Sequence, residues 1–232
     1  MDNDSFDEIN TPPAKQTFCA CGEKTSFGCD EMCRYCFYKA KFEAIPIESH
    51  LQAAGVPRKL AIRTSKCYGE SFLNKNALLH MRLINSLDTS AFLTGDPGSG
   101  KTTLAVAMMI YHMQQWATTK EHFAKGRTFL FTTLPEMIQD IRFSFKLSHD
   151  EEVEIFNKYK NVDFLILDDF GVEKTTDWAF SVLYLIINHR YEYDKQTIFT
   201  SNFSLDQIAE KNNDERITRR ISDWCSIIEL AV

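Results

Sequence analysis

The sequence predicts a doubly wound α/β fold, in which helices cover both faces of a parallel sheet. Short apolar runs alternate with longer amphipathic segments from about residue 71 onward. The first of these runs leads into a glycine-rich turn, and a later one, residues 162–167, is apolar and ends in two aspartates. Such runs are typical of parallel strands, which are buried on both faces. Strands that alternate with helices along the chain favour a parallel sheet.

The predicted elements follow one another at regular intervals. A first helix is predicted over residues 73–84, where apolar side chains recur at helical spacing. After it come, in chain order, strand 91–93, helix 102–116, strand 129–131, helix 134–145, strand 162–167, helix 177–191, strand 197–200, helices 204–211 and 216–222, and strand 225–230. Residues 71–232 are therefore predicted to form one domain.

Composition limits the functional classes. The 232 residues are 44% hydrophobic and 25% charged, which excludes a disordered, collagen-like or coiled-coil chain. No apolar run approaches the roughly 20 residues of a membrane helix, and the acidic start of the chain does not resemble a signal peptide. We therefore expect a cytoplasmic protein with no membrane partner.

The net charge of −6 argues against a protein that coats nucleic acid generally. Residues 11–66 nevertheless carry a local positive excess, which allows a basic patch.

The turn after the first predicted strand has the spacing of a phosphate-binding loop. It matches G-x-x-x-x-G-K-[ST] in full and reads Gly95-Asp96-Pro97-Gly98-Ser99-Gly100-Lys101-Thr102, followed by Thr103. Glycines let backbone N–H groups curve around phosphate oxygens, and the start of the next helix adds partial positive charge. Lys101 is predicted to reach the β- and γ-phosphates, and Thr102 to offer its hydroxyl to Mg²⁺. The alternative is a chance match in a glycine-rich turn.

Two carboxylates, Asp168 and Asp169, follow the apolar run at residues 162–167. In an open parallel sheet, the carboxyl ends of the strands are where ligands bind. Asp168 suits a ligand of Mg²⁺, directly or through water, and Asp169 lies where a carboxylate orients or deprotonates the attacking water. The alternative is a solvated acidic turn, which any strand end can carry.

Three segments together resemble the AAA+ ATPases: residues 95–102, 166–171 and 200–202 look like Walker A, Walker B and sensor 1. The surrounding segments 54–57, 165–178 and 215–221 resemble the DnaC/DnaI helicase loaders, and the IstB transposition helpers share the same ATPase core. The resemblance covers about residues 54–232. It implies ATP and Mg²⁺ as cofactors and ATP hydrolysis as the activity, slow and stimulated by oligomerisation or DNA.

The same resemblance assigns roles to two further residues. Asn202 is expected to sense the γ-phosphate and position water, and the alternative is an Asn that caps the helix starting near Ser204. Arg220 is expected to reach the ATP of a neighbouring subunit as an arginine finger, which implies a homo-oligomer with ATP. For the neighbouring Arg216 and Arg219 two alternatives are open: they contact phosphate, or they form a solvated basic face. The chain stops soon after its last strand, so we expect no C-terminal lid, as in loaders of this type.

Five of the seven cysteines lie within 18 residues, which is typical of metal ligands in a chain without an export signal. We predict a structural Zn²⁺ held by Cys19, Cys21, Cys33 and Cys36, with Cys29 as a rival ligand. The alternative is a set of free or redox thiols.

The predicted organisation is a flexible tail at 1–17, a zinc-binding module at 18–50, a linker at 51–70 and the ATPase domain at 71–232. In loaders of the DnaI kind such a module grips the helicase, although a nucleic-acid knuckle fits the cysteines equally.

These observations lead to three hypotheses. The first is an ATP-dependent loader that delivers a replicative DNA helicase to single-stranded DNA during replication initiation, and the zinc-binding module favours it. The second is an IstB-like transposition helper that binds duplex DNA with ATP. The third is an adaptor in which the nucleotide is only a structural switch. Phe143 and Phe145, near Arg142 and Lys146, are hypothetical DNA contacts, because the ATPases that the chain resembles present this region to a central pore.

Overall fold

The computed structural model describes residues 39–40, 42–68, 89–118, 127–146, 148–171 and 176–230. Contacts divide the chain into two compact units, Met1–Ala44 and Ile45–Val232. In the first unit, the described residues include an ion pair between Lys39 and Glu43 at 3.8 Å. The second unit begins at Ile45, ahead of the boundary after residue 50 that the sequence suggests.

The second unit is built on one sheet of five parallel strands. These strands are β1 (Ser90–Gly95), β2 (Phe129–Thr133), β3 (Phe164–Asp168), β4 (Gln196–Ser201) and β5 (Cys225–Leu230). They lie in the order β2-β3-β4-β1-β5, and every neighbouring pair is parallel. The predicted parallel α/β sheet is confirmed. Because β4 lies between β1 and β3, the carboxyl ends of these three strands meet at the centre of one sheet edge.

The helices of the described residues fall before, between and after these strands. They are α1 (Ile47–Ala53), α2 (Arg58–Cys67), α3 (Lys101–Thr118), α4 (Leu134–Ser144), α5 (His149–Asn161), α6 (Asp177–Glu192), α7 (Leu205–Asn212) and α8 (Arg216–Trp224). The sequence predicts α3, α4, α6, α7 and α8 to within two residues at each end. The helix predicted over residues 73–84 lies outside the described residues.

Three of these helices of the described residues, α1, α2 and α5, were not predicted, and α5 shows why. It starts at a capping box, in which the Ser148 hydroxyl accepts from the Glu151 N–H and the Glu151 carboxylate accepts from the Ser148 N–H at 3.0 Å. Only Tyr159 of this helix is buried, so its apolar spacing is too sparse to indicate a helix. Helices α1 and α2 occupy much of the stretch at 51–70 that the sequence suggests is a linker.

Helices cover both faces of the sheet. On one face α3 packs with the fully buried side chains of Leu104 and Met108. On the other face, Phe92, Leu167 and Phe199 of the strands join a cluster of buried side chains from α4 to α8. Burying a side chain of this size contributes roughly 1.5–3 kcal/mol. This packing fixes the strand ends that carry the polar residues described below.

Arg190 of α6 is the most deeply buried charged side chain of the described residues, at 1% exposure. Its Nε donates to the Thr197 hydroxyl at 2.8 Å, and its Nη1 donates to the carbonyls of Tyr159 (3.0 Å) and Val162 (2.8 Å). Its Nη2 donates to the Gln196 carbonyl at 2.7 Å. Arg190 therefore ties the carboxyl end of α5 to the first residues of β4.

None of the helices in the described part of the chain combines the length and the hydrophobicity that crossing a bilayer requires.

Candidate functional site

A cleft of about 350 Å³ lies where β1, β3 and β4 end. Residues from the loop after β1, from the ends of β3 and β4 and from α2 line it together. They are Arg63, Pro97, Gly98, Gly100, Lys101, Thr102, Thr103, Asp169, Thr200 and Asn202. The sheet therefore gathers polar groups that are more than 130 residues apart in the sequence, such as Arg63 and Asn202.

The loop between β1 and α3 depends on its glycines. Gly98 and Gly100 have φ angles of +87° and +92°, and no heavy atom of the described residues lies within 4 Å of an added Cβ. Their backbone therefore borders open space beside the first turn of α3, whose N–H groups have no intrahelical partners. Such N–H groups bind phosphate oxygens. Gly95 is different, because an added Cβ there would clash with the carbonyl oxygen of Leu230 in β5.

Lys101, the first residue of α3, is nearly buried in this loop. Its Nζ donates to the carbonyls of Gly95 and Asp96, both at 2.8 Å, and more weakly to the Ser99 hydroxyl at 3.4 Å. Burial lowers the pKa of Lys101, and the negative charge of Asp168 opposes this shift. The loop oxygens thus hold one positive charge at the base of the cleft, where a phosphate would meet it.

Asp168, the last residue of β3, accepts hydrogen bonds from two hydroxyl groups. Thr102 donates to its Oδ1 at 2.9 Å, and Thr200 donates to the same atom. Burial raises the pKa of the Asp168 carboxyl, and the two hydroxyl donors oppose this shift. A carboxylate beside a threonine hydroxyl provides the hard oxygen donors that Mg²⁺ prefers. Thr102 and Asp168 therefore fit a bound Mg²⁺.

Asp169 continues the chain in a left-handed conformation. Its φ is +56°, which costs a non-glycine residue roughly 1–2 kcal/mol. The Asp169 N–H donates to the Thr200 hydroxyl at 3.2 Å, and the next residue, Phe170, donates its N–H to the Thr200 carbonyl at 2.8 Å. These hydrogen bonds hold the strained turn, and the exposed side chain of Asp169 lines the cleft.

Asn202 also lines the cleft and is exposed. It does not cap α7, because the N-cap residue is Ser204, whose hydroxyl accepts from the Gln207 N–H at 3.2 Å. The Gln207 side chain completes the capping box by accepting from the Ser204 N–H at 2.9 Å. The capping alternative for Asn202 is therefore wrong, and its side chain is left to the cleft.

A family model described as "IstB-like ATP binding protein" matches residues 74–228 of the chain. The chain belongs to the IstB-like ATP-binding family. The matched range includes every residue that lines the cleft except Arg63. The resemblance to this family is thereby confirmed, and the relatives described next confirm the resemblance to the DnaC and DnaI loaders.

Several curated relatives of this IstB-like protein are named helicase loaders. The chain is 22% identical over 156 residues to "Replicative helicase loader DnaC" of Escherichia coli (strain K12). This match covers 67% of this chain and 59% of the relative. It is 29% identical over 118 residues to "Replicative helicase loader DnaI" of Bacillus subtilis (strain 168), which covers 50% of this chain and 34% of the relative. The chain therefore spans 59% or less of the length of these relatives.

The fold of the IstB-like protein is also similar to that of a solved loader. The "Crystal structure of the DnaC helicase loader" matches it with a TM-score of 0.58 at 23% identity. The match covers 70% of this chain and 95% of that one. At 23% identity, this similarity shows that the two proteins share a fold and nothing further.

Most of the sequence-predicted site residues of the IstB-like protein come together. Those that line the cleft are Pro97, Gly98, Gly100, Lys101, Thr102, Thr103, Asp169 and Asn202, and Asp168 contacts Thr102 directly. Gly95, Asp96 and Ser99 instead provide oxygen atoms to Lys101. The predicted loop is therefore divided into residues that face the cleft and residues that hold the lysine.

Arg220 is not among the described residues that line the cleft. It lies on α8 against α6, where its Nε donates to Asn188 Oδ1 at 2.5 Å and its Nη2 donates to the Tyr184 hydroxyl at 2.8 Å. Its guanidinium carbon lies 4.6 Å from the centre of the Tyr184 ring. The neighbouring Arg216 pairs with Asp214 at 2.7 Å.

Two residues of the cleft, Thr200 and Arg63, were missed by sequence reasoning. Thr200 ends a predicted strand inside the segment that resembles sensor 1, and that position is a signal for it. Arg63 has no local signal, because it reaches the cleft only through the packing of α2 against α3. Its Nη2 donates to the Thr103 hydroxyl at 3.0 Å.

The clustered cysteines Cys19, Cys21, Cys29, Cys33 and Cys36 lie outside the described residues, so their zinc site stays a prediction. In the part of the chain that the structure does describe, no group of three or more His, Cys, Asp or Glu side chains is placed to hold a metal ion.

Proposed function

We propose that this IstB-like protein is an AAA+ ATPase that loads a replicative DNA helicase onto single-stranded DNA. The observation that carries the ATPase part is the cleft, in which Lys101, the Thr102–Asp168 pair, Asp169 and Asn202 converge on one sheet edge. The relatives named helicase loaders support the loading part. The function also fits a family of ATP-binding proteins.

The cleft supports hydrolysis by positioning and charge. The backbone N–H groups of the loop and the Lys101 ammonium bind the β- and γ-phosphates. Thr102 and Asp168 would hold Mg²⁺, which would neutralise phosphate charge when bound. Asp169 orients the attacking water and accepts its proton, and Asn202 donates to the γ-phosphate. Within a single chain, no arginine in this proposal reaches the γ-phosphate, so hydrolysis by the monomer is slow.

Arg220 completes this site in a neighbouring subunit. Tyr184 and Asn188 hold its guanidinium on the surface formed by α6 and α8, away from the cleft of its own chain. An arginine at an intersubunit interface stabilises the charge of the transition state in trans. ATP therefore promotes a homo-oligomer, and hydrolysis at its interfaces releases the helicase.

An exposed aromatic and basic group at the end of α4 supports single-stranded DNA as a partner. Phe143 and Phe145 are 51% and 49% exposed. The Lys146 ammonium lies 5.6 Å from the centre of the Phe143 ring, and the Arg142 guanidinium lies 5.3 Å from the Trp178 ring. Aromatic rings stack on unpaired bases while neighbouring cations bind the phosphates, and proteins that bind single strands combine the two kinds of contact.

Fluorescence anisotropy tests this partner. Labelled single-stranded and duplex oligonucleotides are titrated with protein in the presence of ATP, ADP or no nucleotide. We expect tighter binding to single strands with ATP, and about a tenfold loss in Phe143→Ala, since stacking on one aromatic ring contributes roughly 1–3 kcal/mol. Tyr193→Ala is the control, because it removes an exposed aromatic ring (65% exposed) outside this group.

The other outcomes of this titration favour the other hypotheses. A preference for duplex DNA with ATP would move the assignment to an IstB-like transposition helper. Absence of binding to either DNA, together with no ATP hydrolysis, would leave an adaptor that uses the nucleotide as a structural switch.

A structural zinc ion in the N-terminal segment completes the proposal. Four thiolates staple a segment that is too small to form its own core, and this module binds the helicase. Elemental analysis of the purified protein should find about one zinc per chain. Cys33→Ser should lose it and Cys29→Ser should retain it. If Cys29→Ser loses zinc while Cys19→Ser or Cys21→Ser retains it, the proposed ligand set is wrong and Cys29 is a ligand in place of that cysteine.

A further inference from the structure

Two successive residues of α3 mark two walls of the cleft. Thr102 donates its hydroxyl hydrogen to Asp168 at 2.9 Å, whereas Thr103 accepts a hydrogen bond from Arg63 Nη2 at 3.0 Å. Successive side chains of an α-helix point about 100° apart, so the two hydroxyls face different directions. The wall at Thr102 carries the groups of the proposed hydrolysis. The wall at Thr103 is formed by α2 and carries Arg63.

Arg63 is presented to the cleft by a well-anchored helix. Its neighbours on α2, Ala61 and Thr64, are buried. The turn before this helix is fixed to the edge of the sheet, because the Ala54 carbonyl accepts from the Phe131 N–H of β2 at 2.6 Å. The helix therefore holds the backbone of Arg63 in place while its side chain remains exposed at the cleft.

The guanidinium of Arg63 has capacity for a ligand. An arginine carries five N–H donors in a planar fork, and the hydrogen bond to Thr103 uses one of them. The fork matches two oxygens of a phosphate group. Of the residues that line the cleft in the described part of the chain, the cations are Arg63 and Lys101. They lie on the α2 wall and in the loop, respectively.

We infer that Arg63 binds the α-phosphate of the nucleotide. The inference rests on the proposed ATPase function, in which Asp169 and Asn202 face the γ-phosphate. A triphosphate is a linear chain, so a nucleotide with its γ-phosphate at that wall directs its α-phosphate and sugar toward the wall that carries Arg63. ATP and ADP share the α-phosphate. Arg63 therefore contributes equally to the binding of both, and discrimination of the γ-phosphate belongs to the opposite wall.

Calorimetric titration with MgATP and MgADP tests this role. Arg63→Ala should weaken the binding of both nucleotides by about tenfold or more, because a hydrogen bond to a charged group contributes roughly 1.5–3 kcal/mol. The ratio of the two affinities should not change. Lys59→Ala removes a similar exposed charge from the same helix, outside the cleft, and should bind both nucleotides as the wild type does.

A second variant separates phosphate binding from the tether to Thr103. Arg63→Gln keeps an N–H donor for the Thr103 hydroxyl and loses the charge, so it should remain as weak as Arg63→Ala. Wild-type affinity in Arg63→Ala, or full recovery in Arg63→Gln, would overturn the inference and leave Arg63 as a tether between α2 and α3. Weakening of ATP alone would overturn it too, because that pattern belongs to a γ-phosphate contact.

The wild-type titration distinguishes the two levels of failure. If the wild type binds MgATP and Arg63→Ala binds it equally well, the Arg63 inference fails and the proposed ATPase function stands. If the wild type and Lys59→Ala bind neither nucleotide, the proposed function fails and the inference falls with it.

Discussion

Arg220→Ala should leave the affinity for ATP unchanged and lower oligomer-stimulated hydrolysis by about a thousandfold, which is the usual effect of an arginine finger. The physical reason is that Arg220 contacts Tyr184 and Asn188 instead of the cleft of its own chain. In the proposed mechanism its charge acts on the transition state only across a subunit interface. Hydrolysis should be followed at increasing protein concentration, with Arg219→Ala as the control for loss of a neighbouring exposed arginine.

A mixing experiment makes this test specific to action in trans. Lys101→Ala has a defective cleft and an intact finger, whereas Arg220→Ala has an intact cleft and no finger. Each variant alone should be inactive, and a mixture should regain part of the activity, because some interfaces pair an intact cleft with an intact finger. Wild-type rates in Arg220→Ala would refute the finger. Failure of the mixture to recover, with oligomers that form normally, would place the defect within one chain.

Arg190→Met should destabilise the protein by about 3–5 kcal/mol, the cost typical of removing one partner from a buried charged network. The methionine fills a similar volume, but it leaves the carbonyls of Val162 and Gln196 without the donors that now lie at 2.8 and 2.7 Å. Burial lowers the pKa of Arg190 to about 9, and the charge of Asp163 opposes this shift. The guanidinium thus remains charged at neutral pH.

Urea unfolding followed by circular dichroism measures this loss as a lower midpoint at an unchanged slope. Arg58→Met is the matched control, because it makes the same chemical change at an exposed position of α2 and should stay within about 0.5 kcal/mol of the wild type. A stability of Arg190→Met within about 1 kcal/mol of the wild type would show that the network contributes little beyond the apolar contacts of the side chain.

The elements that the sequence predicts well are those with a buried face. Strand β3 is apolar up to its last residue, Asp168, and α6 has buried residues at helical spacing, so both can be located from their patterns. Helix α5 is polar except for a few side chains, and its start is indicated by a capping box instead of by periodicity. Helices α1 and α2 follow Pro46 and Pro57. In the sequence these prolines suggest a loop, but in the structure they are the N-cap residues of the two helices.

The candidate site divides in the same way. Lys101, Thr102 and the aspartates at the end of β3 lie within short contiguous motifs, so their chemistry is readable from spacing. Thr200 acquires its role from the strand order, because β4 lies beside β3 and places the Thr200 hydroxyl on Asp168. The sequence assigns Asn202 two alternatives, and the capping of α7 by Ser204 excludes one of them.

By itself, the sequence determined the parallel α/β class, the glycine-rich loop and the acidic strand end, because each depends on residues that are close together in the chain. The tertiary structure alone decided that Arg63 reaches the cleft, that Arg190 is buried among backbone carbonyls, and that Arg220 is held away from the cleft of its own chain. From a sequence alone, long cationic side chains are expected to be exposed to solvent. Their hydrogen-bond partners lie up to 40 residues away, and only packing brings the two together.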